Sequence, residues 1–498
     1  MRCLQPCASP SQSSSRGTSF AKSLRWYSLT RSLPPQVTIQ SVSDEVLLNI
    51  FRCFLDVSPR DWPRLVHTCR KWRHIVFVSH QALCLRLFFT HGTPVQKSLD
   101  CWPALPIVLQ YGGLPALAPL TPMDEDNNMA ALKQSNRVIS ISLAITRSLL
   151  EKLSTIEGAF SKLQDLVLLS QDGVTLTLPN TFRCGRRLRR LHSTWIAFPS
   201  LLQLLYSSIN LIDLRLHEDL DPWHVAPEPF TIALSGMAQL RSLSLRFLDT
   251  PYCHSPFLSE ERVILPALTC LEFWGNAEYL ESLVIRIDAP CLEDIEITFF
   301  DHPILGISML GKFINRIKMH KSHRQAHIII LENAISISFI RPGAPARLTL
   351  RLFRRALPKQ ISSMAQLCIS FPIVLFNVEE LRISMLRRLE RKDRLYRQQW
   401  LELLGSFTGV KRFHVNVDGK DSNSTYIVLP APYKLSIQQP GPHHAPLREA
   451  VVTFMVSCRL SGHPIEVEYE QPCDINKQRE IGAVYDQCQD RYLLTCFE

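Results

Sequence analysis

The sequence predicts an α/β fold, with parallel strands on a concave face and helices outside, preceded by a short helical segment. Three observations predict it. A unit close to L-x-x-L-x-L recurs at Leu163, Leu188, Leu211, Leu240, Leu268 and Leu292, at intervals of 25, 23, 29, 28 and 24 residues. Helical stretches such as SLLEKLSTI, PSLLQLLYSSI and GNAEYLESLVIRI lie between these units. Ahead of them, residues 41–76 hold two apolar helical stripes around a proline-marked corner. A chain of 498 residues is several times an ordinary domain, hence several domains or one repeat array. Its 46% hydrophobic content and mean hydropathy of +0.02 make it globular.

In chain order, residues 1–36 are basic, Ser-rich and free of acid. They read as a disordered tail, a composition that overlaps with a mitochondrial transit peptide. Ser43 can cap a helix whose first turn holds Asp44 and Glu45, both suited to the positive helix end. Val46, Leu47, Ile50, Phe51, Phe54 and Leu55 give that helix a wide apolar face. Asp61 can cap a second helix carrying Leu65, Val66, Cys69 and Trp72, with Pro63 in its first turn. This hairpin has more apolar surface than it can bury internally. It is either a cap on the following domain or a docking surface for a partner helix.

Residues 37–90 form the helical domain and 91–134 a connecting segment, in which YGGLPALAPLTPMDEDNN reads as linker or loop. Residues 101–123 are uncharged, but five prolines and a Gly-Gly pair argue against a membrane helix there. Residues 135–470 hold the repeats and 471–498 a C-terminal tail. The period is that of leucine-rich repeats. In each unit the second and third apolar residues, such as Leu214 and Leu216, point inward on a short strand, and their neighbours face the concave side. One unit cannot bury its apolar row alone; stacked units can. VISISLA at Val138 reads as a first coil, and VEELRIS at Val378 and VKRFHVN at Val410 as weaker copies. LREAVVTFMVSC and the following strand read as a closing element.

The concave positions include Arg190, His192, Asp213, Arg215, His217, Arg246, Glu272, Trp274, Asp294 and Glu296, which run from basic to acidic along the array. They are the candidate substrate-binding residues. Trp274 is either an exposed anchor or a residue folded over a strand edge.

The net charge of +10 is concentrated. Residues 1–43 supply +5 and residues 387–397 supply +4, which leaves the folded body nearly balanced and disfavours a broad nucleic-acid face. The basic run 387–404 reads as a helix with Leu389, Leu395, Trp400, Leu403 and Leu404 on its buried side and a solvated outer face. Fifteen cysteines at irregular spacing, with no CxxC pair, fit small buried thiols such as Cys53, Cys69, Cys270 and Cys291 in a reducing compartment. No GxSxG, GxxxxGK[ST], GxGxxG or HExxH motif is present, so neither catalytic nor cofactor residues are assigned. His443 and His444 lack a third metal ligand at sensible spacing.

Residues 41–76 resemble an F-box, through Val42, Asp44, Glu45, Leu47, Ile50, Phe51, Leu55, Leu65, Cys69, Arg70, Trp72 and Arg73. Ser43 stands where the family has a proline that helps contact the partner. The phrases CWPALPIVLQYGG, APCLEDIEITFFDHP and LSGHPIEVEY resemble the F-box proteins with leucine-rich-repeat-like regions found in mushroom-forming fungi. The resemblance implies docking on a Skp-type adaptor, and through it a cullin, with Val42, Asp44, Glu45, Leu47, Ile50, Phe51, Leu55, Leu65 and Trp72 as adaptor-facing or hairpin-core residues. It implies a non-enzymatic substrate receptor of an SCF-type ubiquitin ligase, cytoplasmic or nuclear. The partner is a protein substrate, with no cofactor, metal, nucleic acid, membrane or small-molecule substrate. The other reading is a repeat scaffold that binds a partner outside any ligase.

Overall fold

The computed structural model describes residues 41–111, 121–156, 158–170, 176–182, 185–218, 226–247, 262–300, 308–317, 323–331, 333–341, 347–353, 357–385, 397–407, 409–417, 427–429, 435–436 and 467–468. The two terminal tails, residues 387–396, His443, His444 and the expected closing helix lie outside these. The chain divides into two compact units, Met1–Cys84 and Leu85–Glu498.

In the first unit, α1 (Asp44–Val57) starts at Ser43, whose hydroxyl accepts from the Val46 N–H. Its first turn is acidic, as the helix dipole favours. Leu47, Phe51 and Leu55 are buried, with Phe51 edge-on to Trp72 at 4.8 Å between ring centres. The second helix expected from Asp61 is two helices. α2 (Trp62–Thr68) ends at Cys69, which is extended, and α3 (Arg70–Val78) restarts from it. The break turns Trp72 towards Phe51. Lys71 Nζ bonds the Val42 carbonyl at 2.7 Å and lies 3.2 Å from Asp44, which ties α3 to the start of α1.

The second unit is mixed α/β, with a 15-stranded, mostly parallel sheet. The sheet starts earlier than the repeat pattern indicates. β1 (Leu87–Phe89), at the end of the stretch expected as the helical domain, pairs in parallel with β2 (Ile107–Gln110) inside the expected connecting segment, with α4 (Val95–Cys101) between them. Part of the expected linker is also helical. α5 (Pro122–Leu132) begins with a capping box in which Thr121 and Asp124 satisfy each other's backbone N–H groups. Burial raises the Asp124 pKa, but hydrogen bonds from Thr121 and Gly92 outweigh it and hold the carboxyl below its usual range.

β3 (Val138–Ile145), α6 (Arg147–Ser154), β4 (Asp165–Ser170), β5 (Arg190–Thr194), α7 (Phe198–Ser207), β6 (Asp213–Glu218), α8 (Pro227–Ser235) and β7 (Ser242–Phe247) follow. After the short β8 (Val263–Ile264) come β9 (Cys270–Gly275), α9 (Ala277–Arg286), the short β10 (Ile287–Asp288) and β11 (Asp294–Phe300). From β1 to β7 each strand pairs in parallel with the next, and β7, β9 and β11 continue the series. The pairing puts Leu166, Leu191, Leu214, Leu243, Leu271 and Ile295 in one buried row. Each such side chain contributes about 2 kcal/mol by leaving water. Successive helices pack side by side: α4 on α5, α5 on α6, α7 on α8, α8 on α9.

The parallel series is then interrupted. α10 (Ser308–Arg316) leads to β12 (Gln325–Ile330), β13 (Ala334–Ile340) and β14 (Arg347–Phe353), and β13 is antiparallel to both neighbours. The sheet order is β11-β14-β13-β12, so the chain passes over two strand positions and meanders back to fill them. The strands IIILENAISISF and RLTLRLF alternate with period two and lack the L-x-x-L-x-L unit. Beyond them lie α11 (Leu357–Ile369), α12 (Pro372–Phe376), β15 (Glu380–Met385), α13 (Arg397–Gly405), β16 (Arg412–Val417) and β17 (Ile427–Leu429), which pairs antiparallel with β16. β18 (Leu435–Ser436) and β19 (Val467–Glu468) pair separately. α13 buries Trp400, Leu403 and Leu404, the described part of the buried side expected for this helix.

Two polar devices hold the helix layer. The Arg286 guanidinium, 7% exposed, bonds Ser282 on its own helix and Glu228 on α8. The Glu281 carboxylate on α9 accepts from the backbone N–H groups of Met309 at 2.8 Å and Leu310 at 2.6 Å, capping α10 from a neighbouring helix. Glu281→Ala leaves those donors without a partner. It is expected to cost about 1–2 kcal/mol, read as a lower urea midpoint, with Glu281→Gln recovering part of the loss.

Candidate functional site

Two surfaces carry the residues singled out in the sequence. On the first unit, the structure separates roles that the sequence left open. Leu47, Phe51, Leu55 and Leu65 are core residues, and Trp72 is half-buried over Phe51. Val46, Ile50 and Val57 are 49%, 51% and 84% exposed, and Cys53 is also exposed. At spacings of four, three and four residues, Val46, Ile50, Cys53 and Val57 form one stripe along α1. Asp44 and Glu45 are exposed at its start and Val42 is half-buried. Cys291 is exposed as well, so neither Cys53 nor Cys291 is the buried thiol that its sequence context suggests.

On the second unit, the ten expected concave residues fall in three registered rows on one face of the sheet. Arg190, Asp213 and Asp294 share the first with Asp165 and Arg347. His192, Arg215, Glu272 and Glu296 share the second with Ser244 and Thr349. His217, Arg246 and Trp274 share the third with Thr298 and Arg351. The run from basic to acidic residues is cancelled locally by ion pairs. Arg190 meets Asp165 at 2.6 Å, Arg215 meets Asp213 at 3.2 Å, and Arg246 meets Glu272 at 2.5 Å. Arg347 at 3.2 Å and Arg351 at 2.5 Å both hold Glu296. Burial raises the Asp294 pKa, with Arg347 opposing.

Arg347 and Arg351 could not be placed from the repeats, because β14 reaches this face through the antiparallel meander. The alternation in RLTLRLF was the available signal. Ser244, Thr298 and Thr349 were missed for another reason. They are small residues in outward positions, and overlying side chains bury all three.

Trp274 is half-buried. Arg246 Cζ lies 4.3 Å over its ring centre, and Phe300 and Phe353 lie at 6.2 and 6.4 Å. These aromatic rings and Arg246 form a partly covered cluster across β7, β9, β11 and β14. Beside it, His192 and His217 meet edge to face at 4.9 Å. Burial, then Arg215, pushes the His192 pKa down to about 4. Burial, then Arg246, pushes that of His217 lower still. The Ser244 hydroxyl donates to Glu272 at 2.9 Å and has His217 Nε2 at 3.5 Å. Serine, histidine and glutamate therefore meet, but Ser244 is 3% exposed and its proton points to a carboxylate already paired with Arg246. That is a closed polar network rather than an activated nucleophile.

Among the described residues no group of three His, Cys, Asp or Glu side chains is arranged to hold a metal, and no helix is long and apolar enough to cross a membrane. The chain is thus a mixed α/β protein with a small helical unit and a large parallel-sheet unit, each presenting a distinct candidate binding surface. No protein-family model matches the chain, and no curated protein matches it.

Proposed function

We propose that the chain is a non-catalytic receptor of an SCF-type ubiquitin ligase. The helical unit docks as an F-box on a Skp-type adaptor, and through it on a cullin. The second unit, read as a leucine-rich-repeat solenoid, holds the target protein in the cytoplasm or nucleus. Its contribution to rate is proximity, with the chemistry done elsewhere in the complex.

The observation that carries this reading is the second apolar stripe of α1. Leu47, Phe51 and Leu55 suffice to anchor the helix, yet Val46, Ile50, Cys53 and Val57 remain exposed beside them. An exposed aliphatic stripe on a rigid helix suits the groove of a partner. On the second unit, the cluster of Trp274, Phe300, Phe353 and Arg246 has the residue types that dominate protein contacts.

One observation favours the alternative of a repeat scaffold without a ligase. Ser43 serves as the N-cap of α1, so the position where the F-box family places its contacting proline is used inside the chain. Co-purification with the adaptor decides between the two. The native chain is expected to capture it, and Val46→Asp with Ile50→Asp to reduce capture by at least about tenfold at unchanged melting temperature. Phe51 is unsuitable for this test because it is 0% exposed and its replacement would unfold the unit. No capture by the native chain would leave the scaffold reading.

A further inference from the structure

The face of the sheet answers each of its guanidinium groups with a carboxylate. The edge where β4 to β7 begin does not. Three residues before these strands stand Lys162, Arg187, Asn210 and Gln239, and one residue before them stand Gln164, Arg189, Ile212 and Arg241. A ladder of backbone hydrogen bonds fixes the second row: Arg189 N–H to the Gln164 carbonyl, Ile212 to Arg189, and Arg241 to Ile212, at 2.7, 2.7 and 2.8 Å. Asn210 Nδ2 bonds the Arg186 carbonyl at 2.7 Å and pins the 3₁₀ turn Gly185–Arg187. Between the rows runs a groove of about 430 Å³ lined by Gln164, Arg187, Arg189, Asn210 and Gln239.

Lys162, Arg186, Arg187, Arg189 and Arg241 are all exposed. Among the described residues none of these five cationic groups has an ion-pair partner, in contrast to Arg190 and Arg215, one and three positions beyond the second row. Neither row contains an acid from β4 to β7; the first is Glu293, ahead of β11. Several like charges gathered on a pinned backbone repel one another and stay solvated until an anion arrives.

We propose that this strand-start edge is a docking groove for an acidic, extended segment of a partner protein. Carboxylates match the guanidinium forks. The three carboxamides offer donors and acceptors that pair with the peptide groups between the acidic side chains. Arg189 and Arg241 sit two strands apart, about 10 Å, which three residues of extended chain span. Nucleic acid fits less well. The cationic rows cover four strands, roughly 15 Å, and then meet Glu293, whereas duplex binding draws on a longer series of phosphate contacts. The proposal rests on reading the second unit as the partner-binding part. It does not depend on adaptor docking.

The test is anisotropy titration of a labelled glutamate-rich peptide with the full chain, in the absence of adaptor. Binding is expected, weakening with added salt. Arg187→Glu with Arg189→Glu is expected to weaken it at least about tenfold. A control with the same charge change, Lys97→Glu with Lys133→Glu on α4 and just after α5, is expected to leave it unchanged. Melting temperatures confirm that both double variants fold. No binding by the native chain, or equal loss in both variants, overturns the groove. Tighter binding of duplex DNA than of the peptide, lost in the same Arg variant, overturns the choice of partner. The adaptor pull-down reads the helical unit and this titration the groove, so either can fail alone.

Discussion

Gly311→Ala is expected to lower the stability of the second unit by about 2–3 kcal/mol. A Cβ at Gly311 would lie 2.3 Å from the Ser370 carbonyl oxygen, at the end of α11, closer than any carbon–oxygen contact permits. The obstacle is backbone, so no side chain can rotate away and two helices must part. Among the described glycines the same device recurs once. A Cβ at Gly409 would lie 2.1 Å from the Phe376 carbonyl oxygen at the end of α12. Gly405 supplies the control: its added Cβ would meet nothing within 4 Å. Gly405→Ala, at the end of α13, is expected to be neutral or stabilising by up to about 1 kcal/mol, as helical glycine replacements are. Urea unfolding of the full chain followed by far-UV circular dichroism reads all three. Equal midpoints for Gly311→Ala and Gly405→Ala would mean that α10 does not rest on the end of α11.

The repeat spacing made β4, β5, β6, β7, β9 and β11 legible because each L-x-x-L-x-L unit is a local pattern whose inward leucines every strand needs. That local rule also put the ten concave candidates on one face. It could not show which charge meets which. Glu272 and Glu296 read as an acidic end, and only β14, delivered by the meander, brings Arg347 and Arg351 against Glu296. β1 and β2 escaped notice because LFF and IVLQ are too short for any periodicity, and their role exists only in the pairing with β3. α5 was hidden by its polar sequence. Its signature was present, with Thr121 as N-cap, Pro122 next and Asp124 three residues on. On α1 the apolar face was evident, but its division into a buried edge and an exposed edge depends on where α3 places Trp72.

Acidification from pH 7 is expected to destabilise the second unit earlier than its carboxylates alone would. The unfolded-state histidine pKa is about 6.5, and the folded value for His192 is about 4, because burial and Arg215 disfavour the imidazolium. A lowered folded value means that the unfolded chain takes the proton first. Stability is therefore full above about pH 6.5 and is lost as pH falls towards 4. His192 alone contributes a loss of about 3 kcal/mol by pH 4, and His217, lowered further, adds to it. His327, lowered to about 4 chiefly by burial, titrates in the same window. Asp124 and Glu379, whose carboxyls are held low, lose their contribution at more acidic pH. The windows separate by mutation. Melting temperature between pH 7 and 4.5 is expected to fall less steeply in a His192→Gln, His217→Gln double variant than in the native chain, whatever their difference at pH 7. Parallel slopes would mean that water already reaches the pair. The geometry argues otherwise: His192 Nε2 is buried and has no hydrogen-bond partner among the described residues. A proton on either ring would add positive charge between Arg215 and Arg246, against the Ser244–Glu272 network that holds the Trp274 cluster in place.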